Sequence, residues 1–145
     1  MELSAKCEYA LRALLEMAAV YHRAEPLRIK EVAQRQQIPD RYLEQLLAVL
    51  RRGGLVRSQR GVKGGYILAD EPGQISVLDV IRCIEGNENK ISDSTRPGGP
   101  VETSLIHDVR QELNKAAEAV LSSYSLQSLL ERRTERLQEE VMYYI

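Results

Sequence analysis

The sequence predicts a mainly α-helical chain that carries one small β-hairpin. Three observations predict it. Apolar residues recur at helical spacing in successive segments, most cleanly at Leu43, Leu46, Leu47 and Leu50. Two short strand-like runs, Leu55-Val56 and Tyr66-Ile67-Leu68, flank RGVKGG, which holds three glycines and two cations in six residues. A polar stretch with two prolines and two glycines, Asn87 to Pro100, then precedes a long helical segment with an apolar face of its own.

The elements follow in order. Ser4 is placed to cap a helix from about Ala5 to His22, whose stripe is Leu11, Leu14, Leu15, Ala18 and Tyr21. Pro26 breaks it. A shorter helix, about Arg28 to Gln37, turns Ile29, Val32 and Ala33 inward. Gln37-Ile38-Pro39 leads into a third helix, Asp40 to Arg52. Pro39 is tolerated there because first-turn amides have no partner within the helix. Gly53 and Gly54 end that helix. After the hairpin, Ser76 and Asp79 form a capping-box pattern ahead of a helix from Val77 to Glu85, which Gly86 ends. Its stripe is Val77, Val80, Ile81 and Ile84. A long helix, about Val101 to Ser122, carries Leu105, Ile106, Val109, Leu113, Ala116, Ala117 and Val120 on one face. Ser125 caps a short last helix, about Leu126 to Leu137, and a tail ends in Tyr143-Tyr144-Ile145.

Short helix, brief turn and third helix have helix-turn-helix spacing. The charge pattern names the partner. Arg41, Arg51, Arg52, Arg57, Arg60 and Lys63 face one anion, Glu44, between positions 41 and 63, in a chain of net charge −1. Residues 1–70 hold twelve Lys/Arg against eight Asp/Glu, whereas residues 71–145 hold eight against thirteen. A basic helix followed by a basic glycine hairpin is the sequence form of a winged helix-turn-helix, which binds double-stranded DNA. The alternative is a solvated cationic hairpin. Arg41 suits guanine or phosphate, Gln45 adenine, and Glu44 a cytosine amino group or plain solvent. Tyr42 can bond a phosphate or pack. Arg57, Arg60 and Lys63 would lie along the backbone.

Other classes fit poorly. No apolar run approaches the ~20 residues that span a membrane. The amino terminus carries Glu2 and Glu8 and lacks a signal-peptide layout, so the cytoplasm is expected. Cys7 and Cys83 lie far apart with no CxxC, which suggests two reduced, packed thiols. There is no nucleophile–base pair, no metal-ligand spacing and no phosphate loop, since GVKGG follows a helix and enters a strand. An enzyme is therefore not expected. The long helix needs a covering surface, either the same helix of a second subunit or its own domain.

These residues carry a resemblance. LSAKCEYALRALLEMA, the run from IKEVAQRQQIPDRYLEQLL to RGVKGGYIL, and ISVLDVIRCIEG resemble the Rrf-two family of winged-helix transcription regulators, the IscR/CymR/NsrR type. The resemblance covers nearly the whole chain. It implies a homodimer joined through the long helix and bound to operator DNA. It puts Tyr42, Glu44, Gln45 and Arg60 at family DNA-contact positions, and Arg41 at one where IscR has another residue type. Many members hold an iron–sulfur cluster on three cysteines before the long helix. Here the corresponding positions, near Ser92, Gly98 and Ser104, have none, and His107 alone stands at a family ligand position. No cofactor is expected, since such clusters need three or four ligands, mostly sulfur.

The resemblance is nearest to the cluster-free, cysteine-metabolism CymR type, through EPGQISVLDVIRCIEG and the aromatic pair before a terminal isoleucine. It implies cysteine synthase as a partner, with Tyr143, Tyr144 and Ile145 as the docking segment, a form of carboxyl-terminal capture. The alternative is a tail folded over the dimer. The expected organisation is a winged helix-turn-helix at 1–86, a loop at 87–100, and a dimerisation helix, short helix and tail at 101–145. The expected function is a homodimeric repressor on a palindromic operator. The alternatives are a cluster- or thiol-based redox or nitric oxide sensor of the same fold, and an interaction module that controls an enzyme.

Overall fold

The computed structural model describes residues 3–23, 25–61, 64–86 and 99–143. Lys63, Tyr144, Ile145 and most of the 87–100 loop lie outside the described residues. The chain order is α1 (Ala5–Ala19), α2 (Ile29–Gln36), α3 (Asp40–Arg52), β1 (Val56–Gln59), β2 (Gly65–Leu68), α4 (Val77–Glu85), α5 (Val101–Ser123) and α6 (Leu126–Tyr143). This is a mostly helical fold with a two-stranded antiparallel wing, as expected.

Helix α1 starts where Ser4 Oγ accepts from the Cys7 amide at 3.2 Å. It ends earlier than His22. The Val20 amide turns back to the Met17 carbonyl, and Tyr21–Arg23 form a single 3-10 turn with the Tyr21 ring edge-on to His22. The buried face is also broader than the leucine stripe. Ala10, Ala13, Leu14, Met17 and Ala18 are buried, while Leu11 and Leu15 are only half-buried. The reason is that α1 is central, with α2, α3, α4, β2 and α6 all packed on it. Small alanines allow that many close approaches.

Helix α2 is short and stops at Gln36 because Gln37 adopts a left-handed conformation, φ 55°. The Ile38 amide then caps the Ala33 carbonyl at 2.9 Å, closing the helix end before the turn. Helix α3 spans the predicted residues and buries Leu43, Leu46, Leu47 and Leu50. Each such leucine contributes roughly 1.5–3 kcal/mol of burial free energy.

The wing pairs Val56 with Leu68 through Gln59 with Gly65, longer than the Leu55-Val56 run suggested. Leu27 adds a third edge, exchanging two hydrogen bonds with Tyr66 at 2.9 and 2.8 Å. That pairing explains Gly65. A Cβ there would run into the Leu27 carbonyl, only 2.7 Å from its carbon, and backbone does not yield cheaply. Gly61 turns the hairpin with φ 119°.

Helix α4 carries the capping box, with Ser76 and Asp79 exchanging 3.0 Å hydrogen bonds. Helix α6 corrects two expectations. It is not short: it runs 18 residues, to Tyr143, because QEEVMY contains neither glycine nor proline and favours helix. The segment read as a tail is therefore helical as far as Tyr143. Nor does the winged body close at Gly86. Leu126 is fully buried in the core, and Val77 and Leu126 amides bond the Tyr124 and Ile75 carbonyls at 2.9 Å. Ser125 Oγ accepts from the Ser128 amide at 3.0 Å and so starts α6.

Helix α5 packs beside α4, with an Arg82–Glu118 ion pair at 3.6 Å, yet buries none of its own residues. Among the described residues no helix is long and apolar enough to cross a membrane.

Candidate nucleic-acid interface

Helix α3 has two faces because its sequence has two. The four buried leucines turn Arg41, Glu44, Gln45, Arg51 and Arg52 outward, and all five are exposed. Asp40, Arg41, Glu44 and Gln45 cluster in its first turns, the end from which a recognition helix meets base edges. Tyr42 differs from them. It is half-buried, its ring edge-on to Tyr9 at 5.5 Å and 81°. Packing therefore holds the ring, which leaves its hydroxyl as the polar end of an anchored side chain.

The wing supplies the second half of the surface. Arg57 and Arg60 are exposed at the start and past the end of β1. Arg41, Arg51, Arg52, Arg57 and Arg60 form no ion pair among the described residues, so their charge is available to an anion. Sequence reasoning passed over Ser58 and Gln59. Both are exposed on β1 between the two arginines and give neutral hydrogen-bonding groups to the same edge. The apolar run Leu55-Val56 marks only the start of the strand, because Arg57, Ser58 and Gln59 are all polar and exposed.

The two thiols have different surroundings. Cys7 is buried on α1, with its Sγ 3.5 Å from Glu85 Oε1. Burial pushes its pKa up. The Ser4 hydrogen bond opposes this in part, and the Glu85 carboxylate adds to it. Cys83 donates to the Val49 carbonyl at 3.6 Å, and burial raises its pKa as well. Both are protonated at neutral pH.

With this geometry, comparison with known proteins is specific. The Rrf2 family, described as an iron-dependent transcriptional regulator, matches residues 3–132. The chain is similar to the HTH-type transcriptional regulator CymR of Bacillus subtilis, 36% identical over 145 residues that cover all of both chains. Among solved structures it is similar to IscR of T. potens, with TM-score 0.77 and 38% identity over 94% of this chain and 90% of that one. It is also similar to CymR, the global cysteine regulator of B. subtilis, with TM-score 0.73 and 33% identity over 91% and 98%.

The family description names iron, and the donors of this chain do not suit a cluster. It has two cysteines in all, each engaged by a different oxygen. Among the described residues no three His, Cys, Asp or Glu side chains gather as metal ligands, and His107 sits half-buried on α5 outside any such group. A cluster needs three or four ligands, mostly thiolate.

Proposed function

Because the chain belongs to the Rrf2 family of transcriptional regulators, we propose that it acts as a homodimeric, sequence-specific repressor that reads DNA without an iron–sulfur cluster. The observation that carries this reading is the two-faced α3, with four leucines anchored and Arg41, Glu44 and Gln45 presented beside a wing whose Arg57 and Arg60 are exposed. In this reading Arg41, Glu44 and Gln45 enter the major groove, and Tyr42 bonds a phosphate from its packed position. Arg57, Arg60 and Lys63 hold the backbone. Two-fold symmetry through α5 predicts a palindromic operator with half-sites one helical turn, or a multiple, apart. Arg60→Ala tests the phosphate role. It should weaken binding to every sequence alike and reduce the salt slope by about one. A change of preference at one base pair would instead make Arg60 a base reader.

A second reading concerns the signal. CymR of B. subtilis, similar in structure, is a global cysteine regulator, and Tyr143 ends α6 at 88% exposure. We infer that Tyr143, Tyr144 and Ile145 dock into the amino-acid carboxylate site of cysteine synthase, so that the enzyme reports sulfur supply. Removing Ile145 should abolish binding to that enzyme in a pull-down or by calorimetry. Unchanged binding of the truncated protein would sink the docking idea and leave DNA reading intact.

A further inference from the structure

Glu16 is a charged side chain placed where an apolar one would be ordinary. It lies on α1 at 5% exposure, the one buried charge among the described residues. A buried carboxylate is tolerated only when it is paired and hydrogen-bonded. Its partners come from two other helices. Gln36 Nε2 donates to Oε1 at 2.6 Å, and Arg35 approaches Oε2 at 3.4 Å, both from the last turn of α2. Arg133 of α6 reaches Oε1 at 3.7 Å.

The α2 side of this node is tight. Gln36 is held again by Arg12, whose Nε donates to Gln36 Oε1 at 3.2 Å and whose terminal nitrogen donates to the Gln36 carbonyl. The Arg12 guanidinium lies 5.2 Å from the centre of the Tyr9 ring, which meets Tyr42 of α3 edge-on. Gln36 also directly precedes the left-handed Gln37, the residue that sets the turn into α3. The α6 side is loose. The Arg133 contact lies beyond hydrogen-bond range, and its second terminal nitrogen is buried with no hydrogen-bond partner among the described residues. An approach of roughly 0.5 Å would turn the contact into a charge-assisted hydrogen bond.

We propose that Glu16 is a positioning residue for DNA recognition, holding the end of α2 and the turn into α3, and that Arg133 makes this hold depend on the setting of α6. Any partner that shifts α6 then changes how α3 meets base edges, while the wing arginines keep their phosphate contacts. This rests on α3 being the base reader.

The test uses the full chain and an operator selected by the wild-type protein from random duplexes. The readout is the ratio of operator affinity to random-duplex affinity at fixed salt. Arg133→Met should lower the ratio about tenfold and leave random-duplex affinity unchanged. Arg133→Lys, which keeps the charge, should stay within about threefold of wild type. Glu16→Gln should lower the ratio too, and the double variant should fall no further than the worse single one. A ratio within twofold of wild type for Arg133→Met, additive losses, or a parallel fall in both affinities would overturn the proposal. The parallel fall is what a merely structural role produces through loss of folded protein. Gln45→Ala separates the premise. If it lowers the ratio and Arg133→Met does not, the clamp alone is wrong. If neither does, base reading by α3 is wrong and the clamp falls with it.

Discussion

Helices α3 and α5 are both amphipathic, and among the described residues only α3 has its apolar stripe covered. In α3 the leucine stripe is buried at 0–5% exposure against α1, α2 and α4. In α5, Leu105, Ile106, Val109, Leu113 and Val120 remain 53–67% exposed. The same periodicity therefore serves two ends. One stripe is packed into the body behind the exposed face of α3, and the other is left uncovered by the described residues, as the proposed subunit contact requires. A continuous apolar face of this kind marks an interaction site rather than a flaw in packing. Helix α6 contains both conditions along one stripe. Leu126 is fully buried, Leu130 packs against the core, and Leu137 and Val141 are 51% and 62% exposed where the helix runs off the body.

The contrast can be broken at either helix. Leu47→Ala removes a fully buried side chain from α3 and should cost about 3 kcal/mol of unfolding free energy, read by urea denaturation. A loss below about 1 kcal/mol would mean that the α3 stripe is not a tight core. Leu105→Glu with Val109→Glu should leave the fold of the body intact by circular dichroism. In sedimentation it should turn the proposed dimer into monomer and weaken operator binding on the order of 100-fold through lost bivalency. A double variant that stays dimeric would show that the α5 face is not the subunit contact.

The smallest effect sharpens the comparison within the body itself. Because burial holds both thiols above their ordinary pKa, alkylation of the native protein should be slow at pH 7 and accelerate toward pH 10 as thiolate forms. Rapid labelling of Cys7 or Cys83 at pH 7, measured by mass spectrometry, would reopen thiol-based sensing.

Sequence and structure divide along a physical line. Local forces act between residues three or four apart, so they are written in the chain. The limits of α3 and α4, the Ser4 cap and the Ser76–Asp79 capping box were legible for that reason. So was the exposed set Arg41, Glu44 and Gln45, which follows once the leucines are assigned to the inside. The glycines of the wing were legible as glycines, but the need for Gly65 comes from Leu27, almost forty positions earlier. The reach of α6 to Tyr143 is local, since QEEVMY holds neither glycine nor proline, but its docking on the body is not. Its burial at Leu126 depends on contacts to Ile75 and α1 that no periodicity reports. Glu16 is the plainest case. In the sequence it interrupts an apolar run, and a lone carboxylate is ordinarily placed in solvent. Only the tertiary structure decided its burial, by bringing Gln36 and Arg35 from α2 and Arg133 from α6 around one buried charge.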